Sequence, residues 1–295
     1  MKVGTARCAA RTPRRGVPTK TNMPTFYDTH AHLDYPDFET DLDQVVERAT
    51  AAGISKVISI GTDFESSARA IRLAEKFPGV YAVVGWHPND CETAPEDIRP
   101  KLRELAKHKK VVALGETGLD YHRLPSSKRP EATAQDDGRI KKKQAEIFRQ
   151  HLEVAAELGL NCVIHQRDAF DDTLAQLKPF ADKVRGVFHC FVGTPDEMRR
   201  VLALNSLVSF TGILTFKNAL TVRETLAAVP LDKFILETDC PFLAPVPYRS
   251  KRCEPAYVKE ISEVAAQVRN CSLDELSKAT CATAESFFPL TVTVR

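Results

Sequence analysis

The sequence predicts a (β/α)8 TIM barrel, an α/β fold, and three observations carry that expectation. Eight short β-branched or apolar runs recur along the chain, amphipathic stretches of helical pattern lie between them, and no Gly-rich phosphate loop follows the first run. Eight alternating units in about 260 residues suit a closed barrel, whereas the competing open doubly wound sheet would normally carry such a loop.

In chain order, TFYDTHAHL (25–33) reads as the first strand and the amphipathic stretch 42–52 as the helix behind it. KVISIG (56–61) and the stretch 65–77 form the second unit, VYAVVG (80–85) the third strand and VVALG (111–115) the fourth. LNCVIH (160–165) is the fifth strand, flanked by helical patterns at 144–158 and 168–177. GVFHC (186–190), LVSFTG (207–212) and FILETD (234–239) complete the set, separated by amphipathic stretches at 196–204 and 220–229. One segment does not fit a compact connection: residues 122–143, HRLPSSKRPEATAQDDGRIKKK, are dense in charge and contain Pro, Ser and Gly, so a long surface loop is expected. It starts at the carboxyl end of a strand, where active-site loops of barrels emerge.

At 295 residues, with 43% hydrophobic and 27% charged residues, the chain has the composition of a soluble globular protein large enough for one barrel domain at 23–295. Residues 1–22 carry Lys2, Arg7, Arg11, Arg14, Arg15 and Lys20 unopposed by any acid and read as a disordered basic extension, with Met23 as an alternative start. The net charge of +2 excludes a global field for nucleic acid, so any phosphate contact must come from local clusters. Eight cysteines lack any CxxC pairing, which excludes a zinc ribbon or disulfide scaffold, and no apolar run approaches the roughly 20 residues of a membrane span. Reduced thiols, no membrane association, no obligate protein partner and a cytoplasmic setting are therefore expected.

The polar residues gather at strand ends. Side chains alternate along a strand, so His30 and His32 share one face. The third strand runs into His87, the fourth into Glu116 and Asp120, the fifth into His165, the sixth into His189 and the eighth into Asp239. Buried carboxylates at apolar strand ends are costly unless a cation neutralises them, and Zn, Mn or Mg accept a mixed imidazole and carboxylate set. Six candidate ligands, His30, His32, Glu116, His165, His189 and Asp239, exceed the need of one tetrahedral ion; two divalent ions about 4 Å apart suit displacement at phosphorus or hydrolysis of a carbonyl. His87 is expected to support or bind substrate, Trp86 to pack the barrel against a helix, and His108 and His151 to be ordinary surface or helix residues. Asp28 and Asp34 could orient an imidazole or cap the chain. Arg167, Lys217, Arg249, Lys251 and Arg252 are the cations expected to meet phosphate.

Together DTHAHLD, GWHP, GETGLDY, IHQRDA, HCF, TGILTFKNA and ETDCPFLAP resemble the TatD family of metal-dependent deoxyribonucleases, among the amidohydrolase-like barrels, over residues 26–289. The resemblance implies a dinuclear site in which His30, His32 and Asp239 hold one ion, His165 and His189 the other, and Glu116 bridges. It implies end-directed, 3′–5′ hydrolysis of DNA, with Glu116 and Asp239 catalytic and single strands or strand ends as the partner. The chain departs from the family in a longer segment after Tyr121, and in Ser250 and Cys253, where the family often has Gly and Asn. Two other readings stay open: a carbonyl hydrolase acting on an amide, lactone or aminoacyl ester, and a nucleic-acid-binding barrel without turnover.

Overall fold

The computed structural model describes residues 24–129 and 131–290; the basic extension at 1–22 and the start at Met23 lie outside the described residues. Among the described residues, eight strands form one sheet in chain order, each paired in parallel with the next: β1 (Phe26–Ala31), β2 (Ile54–Ile60), β3 (Val80–Val84), β4 (Val111–Asp120), β5 (Cys162–Arg167), β6 (Gly186–Phe188), β7 (Leu207–Phe210) and β8 (Phe234–Leu236). The helices between and after them are α1 (Leu42–Ala51), α2 (Phe64–Lys76), α3 (Arg99–Leu105), α4 (Pro125–Lys128), α5 (Ala134–Leu158), α6 (Phe170–Leu177), α7 (Pro195–Leu202), α8 (Leu220–Ala228), α9 (Val258–Arg269) and α10 (Leu273–Phe287). This is the (β/α)8 barrel that the sequence predicts.

The ring closes just past the ends of β8 and β1. Ala31 bridges Cys240 in parallel, the His32 N–H donates to the Cys240 carbonyl at 2.8 Å, and the Asp239 N–H donates to the His30 carbonyl at 2.9 Å. Asp28 reinforces this seam from inside: its carboxyl meets Thr238 N at 2.9 Å and Thr238 Oγ1 at 2.6 Å. Burial pushes the Asp28 carboxyl up to about 8, against the hydrogen bonds from Thr238 and the His30 N–H that favour its charged form. Neither Asp28 nor Asp34 orients an imidazole; Asp34 accepts from Ser66 Oγ at 2.7 Å and from Arg69 at 3.0 Å.

Two apolar cores follow from the alternation of the strands. Ile58, Ile60, Val83, Val112, Val163, Val187, Leu207 and Ile235 pack with Phe287, Phe288 and Leu290, which plug the barrel from the chain's end. The larger core lies between the outer strand faces and the helices.

Three expectations need correction. Residues 122–143 are not one long loop: α4 occupies part of them, and α5 begins at Ala134, fixed by a capping box between Thr133 and Asp136. The first turns of α5 are exposed and so lack the apolar periodicity that would reveal them. β4 extends five residues beyond its expected end, through Asp120, so Glu116 and Asp120 lie within the strand. Conversely, β6 and β8 stop early, because Cys190 (φ 47°) and Asp239 (φ 60°) turn the backbone out of the extended region and leave His189 and Asp239 on the rim.

Gly118 is one of the two tightest glycines among the described residues. Its φ of +137° disfavours any side chain, and it lies opposite His165, whose carbonyl oxygen would stand 2.0 Å from an added Cβ. Gly118→Ala is expected to cost roughly 3 kcal/mol in urea unfolding; a variant as stable as the parent would show that β4 and β5 can part here without strain.

Candidate active site

Glu116 stands at the centre of the rim, 2% exposed, with its two oxygens facing two different sets of donors. Oε2 lies 3.3 Å from His30 Nε2 and 3.8 Å from His32 Nε2, and those nitrogens lie 3.6 and 3.4 Å from Asp239 Oδ1. Oε1 lies 2.8 Å from His165 Nδ1, 2.7 Å from His189 Nε2 and 3.3 Å from His87 Nε2. The structure thus gathers the other five sequence-predicted ligands, with His87, around the Glu116 carboxylate.

Hydrogen bonds behind the imidazoles decide which nitrogen each presents. His32 Nδ1 donates to the Ile60 carbonyl at 3.3 Å, leaving Nε2 free of its proton and aimed inward. His165 Nε2 donates to Asp120 Oδ2 at 3.2 Å, which leaves Nδ1 as the inward donor atom. His87 is the reverse case. Its Nδ1 accepts the Asn89 N–H at 3.1 Å, so Nε2 carries the proton and points a donor, not a lone pair, at the centre. His30 and His189 stack at 4.2 Å, and among the described residues the Nδ1 of each has no hydrogen-bond partner. Glu237 lies beneath them, 3.8 Å from His189 Nδ1, and accepts the Cys190 N–H at 2.7 Å.

Burial disfavours the Glu116 charge, but His189, His87 and His30 and the hydrogen bond from His165 outweigh it, so the carboxyl titrates well below its usual range. Burial likewise opposes a proton on His189, yet Glu116 beside it raises the imidazole to about 10. His30, buried and next to that positive ring, is lowered to about 4. Burial holds the Glu237 carboxyl up at about 7. Two carboxylates and five imidazoles converging on one buried rim suit cations, which can take the place of the protons that these rings otherwise hold. His30, His32 and Asp239 bring donor atoms within 4.8 Å of one another, with Glu116 Oε2 beside them, and His165 and His189 with Glu116 Oε1 make the second set.

The cations of the rim divide. Arg167 and Lys217 are exposed and, among the described residues, make no ion pair. Arg252 is not free for phosphate: it is held by Asp41 at 2.7 Å and by Glu254 at 2.9 Å. Arg249 lies 3.8 Å over the Phe216 ring and donates to the Ala244 carbonyl, and Lys251 sits 5.9 Å over Tyr248. Beside His32, Tyr35 stacks at 4.7 Å and Phe242 is half exposed, 6.0 Å from Tyr35.

A model of the family described as TatD related DNase matches residues 27–289. The chain belongs to the TatD family. The metal-dependent hydrolase YabD of Bacillus subtilis is 39% identical over 263 residues, covering 89% of this chain and 98% of YabD. The 3′-5′ ssDNA/RNA exonuclease TatD of Citrobacter rodentium is 36% identical, covering 90% of this chain and 98% of its own. The crystal structure of YJJV, a TatD homolog from Escherichia coli K12, superposes with a TM-score of 0.80 at 27% identity, over 90% of this chain and 98% of that one. This TatD barrel therefore has relatives named both as metal-dependent hydrolases and as nucleases.

Two supporting roles escaped the sequence. Asp120 was visible four positions after Glu116, on the same strand face, but its task of holding His165 was not. His151, expected to be an ordinary helix residue, is fully buried; its Nε2 accepts the Trp86 N–H at 3.0 Å, and its Nδ1 lies 2.8 Å from the Ile147 carbonyl and 3.0 Å from Thr117 Oγ1. It ties the residue before His87 to the residue after Glu116, a pairing no local pattern announces. Trp86 itself packs edge-on against Phe64 at 4.9 Å.

Burial lowers His151 to about 4, against about 6.5 in an unfolded chain. The unfolded state binds the proton first, so this contribution to stability is whole above pH 6.5 and falls away as the pH drops towards 4. Between pH 7 and 5, His151→Gln should lose about 2 kcal/mol less unfolding free energy than the parent. Urea melts at the two pH values check this, and equal losses would mean that His151 takes up its proton in the folded protein as readily as in the unfolded chain.

Proposed function

We propose that this protein is a divalent-metal-dependent hydrolase that cleaves DNA phosphodiester bonds, acting from a strand end in the 3′–5′ direction on single strands. The observation that carries the reading is the placement of Glu116, one oxygen in each of two donor sets. His30, His32 and Asp239 would hold one ion, His165 and His189 the second, and Glu116 would bridge them. Bound there, two divalent ions supply Lewis acidity to the phosphate oxygens and make the attacking water more acidic.

The chain's own residues do the rest. Asp120 fixes the His165 ring, and the Ile60 carbonyl fixes that of His32, so the donor atoms are set before substrate arrives. Asp239, whose carboxyl is held below its usual range by His32, His30 and His189 against its burial, is placed to receive a proton from the attacking water. His87 presents its Nε2–H to the centre, as a donor to an oxygen of the phosphate in flight. Arg167 shares its strand face with His165 and, with Lys217, offers charge to neighbouring phosphates. The half-exposed Phe242 beside Tyr35 and His32 offers an aromatic face to a terminal base, a surface that a small amide or lactone does not need. The relative named as a 3′-5′ ssDNA/RNA exonuclease supports the same reading.

Metal-loaded protein should shorten end-labelled single-stranded DNA with Mg or Mn and lose that activity in excess EDTA. Full activity after exhaustive chelation would overturn the mechanism, and faster turnover of a neutral ester or lactone than of any DNA end would favour carbonyl hydrolysis. Glu116→Gln keeps the shape of the side chain but removes its charge, and should lower the rate about 10³-fold; a variant within a few-fold of the parent would mean that Glu116 does not bridge.

A further inference from the structure

A cleft of about 260 Å³ opens behind the site, between the turn that follows β3, the segment after β4 and the first turns of α5. Arg123, Lys128, Arg129 and Arg139 line it against one lining carboxylate, Glu92, which is taken up by Arg139 at 2.8 Å. Among the described residues, Arg123, Lys128 and Arg129 make no ion pair. The nearby Asp136 is engaged in the capping box with Thr133 and keeps its charge, close enough to Arg129 and Arg139 for both to help hold its carboxyl below the usual range, but it forms no ion pair with either. In a chain of net charge +2, four lining cations against Glu92 and the neighbouring Asp136 still leave a local positive excess in a concave wall.

The cleft and the candidate metal centre share a wall. His87 faces Glu116, while Pro88 and Asn89, the next two residues, line the cleft. Asn89 Nδ2 donates to Asp120 Oδ2 at 3.1 Å, the same oxygen that holds His165, and Gln144 reaches across the cleft floor to the Asp120 backbone at 3.0 Å. The other Asp120 oxygen accepts the backbone N–H groups of His122 and Arg123 at 2.9 and 3.1 Å. The residue that orients a candidate metal ligand therefore also roots the segment that carries the cations.

Resting on the nuclease reading above, we infer that this cleft is a phosphate subsite: Arg123, Lys128 and Arg129 hold a backbone phosphate of a single nucleic-acid strand whose scissile bond lies at Glu116. Guanidinium forks and an ammonium group suit a dianionic or diester phosphate better than any neutral group. None of Arg123, Lys128 and Arg129 contacts Glu116 or the imidazoles around it, which makes the cleft a determinant of how the strand is gripped rather than part of the bond-breaking machinery.

The test uses Lys128→Glu/Arg129→Glu and the milder Lys128→Gln/Arg129→Gln in the full chain, metal-loaded. Affinity for a nuclease-resistant phosphorothioate 8-mer, read by fluorescence anisotropy, should fall about tenfold in the charge reversal. The slope of log K against log salt should become shallower by about 1.4 for two lost contacts. The ratio of kcat/KM for an oligonucleotide to that for bis(4-nitrophenyl) phosphate, which has no flanking phosphate, should fall by a similar factor, mainly through KM. Affinity and salt slope within twofold of the parent in both variants would overturn the subsite. A melting shift by inorganic phosphate that the variants abolish, with strand affinity unchanged, would assign the cleft to free phosphate and overturn the strand. Pocket-dependent binding of the 8-mer by a protein that cleaves no strand would uphold the subsite and sink the nuclease reading instead.

Discussion

The rim depends on the way the barrel closes. His30 and His32 come from one side of the seam and Asp239 from the other, and they meet only because the Ala31–Cys240 bridge and the Asp28–Thr238 hydrogen bonds hold the two chain segments in one register. A parallel barrel has no free edge to slide along, so a closed ring sets the height of every strand end relative to its neighbours. Asp28 does this work at a buried position, where its carboxyl accepts from Thr238 and the His30 N–H.

Electrostatics then follow from the height at which each side chain leaves its strand. For three of the five imidazoles ringing the Glu116 carboxylate the fold defines the proton from behind: a carbonyl for His32, a carboxylate for His165, a backbone N–H for His87. The first two rings are left as acceptors and the third as a donor. That asymmetry separates His87 from the ligand set more firmly than distance does, because all three lie within 4 Å of Glu116.

Much of this was legible in the sequence, because alternation along a strand and the repetition of βα units are local patterns. His30 and His32 share a face by spacing alone, and the rim residues stand where apolar runs end. What the sequence withheld is long-range or conformational. Arg252 reads as a free cation until Asp41, over two hundred positions earlier, folds against it. His151 looks like any helix histidine until β3 and β4 are laid beside it. The first turns of α5 were hidden for the opposite reason: they face solvent, so no apolar stripe marks them, and only the Thr133 and Asp136 box betrays where the helix starts.

The double grip of Asp120 also bears on how such a chain can change over generations. Its carboxylate fastens the backbone at His122 and Arg123, and the capping box at Thr133 fastens the chain again where α5 starts. Between those two anchors residues can be gained or lost without disturbing His165, since closing a slightly longer loop costs little. Descendants of this barrel can therefore lengthen, shorten or recharge that stretch, and so alter what is held beside the centre, while the centre itself is inherited intact.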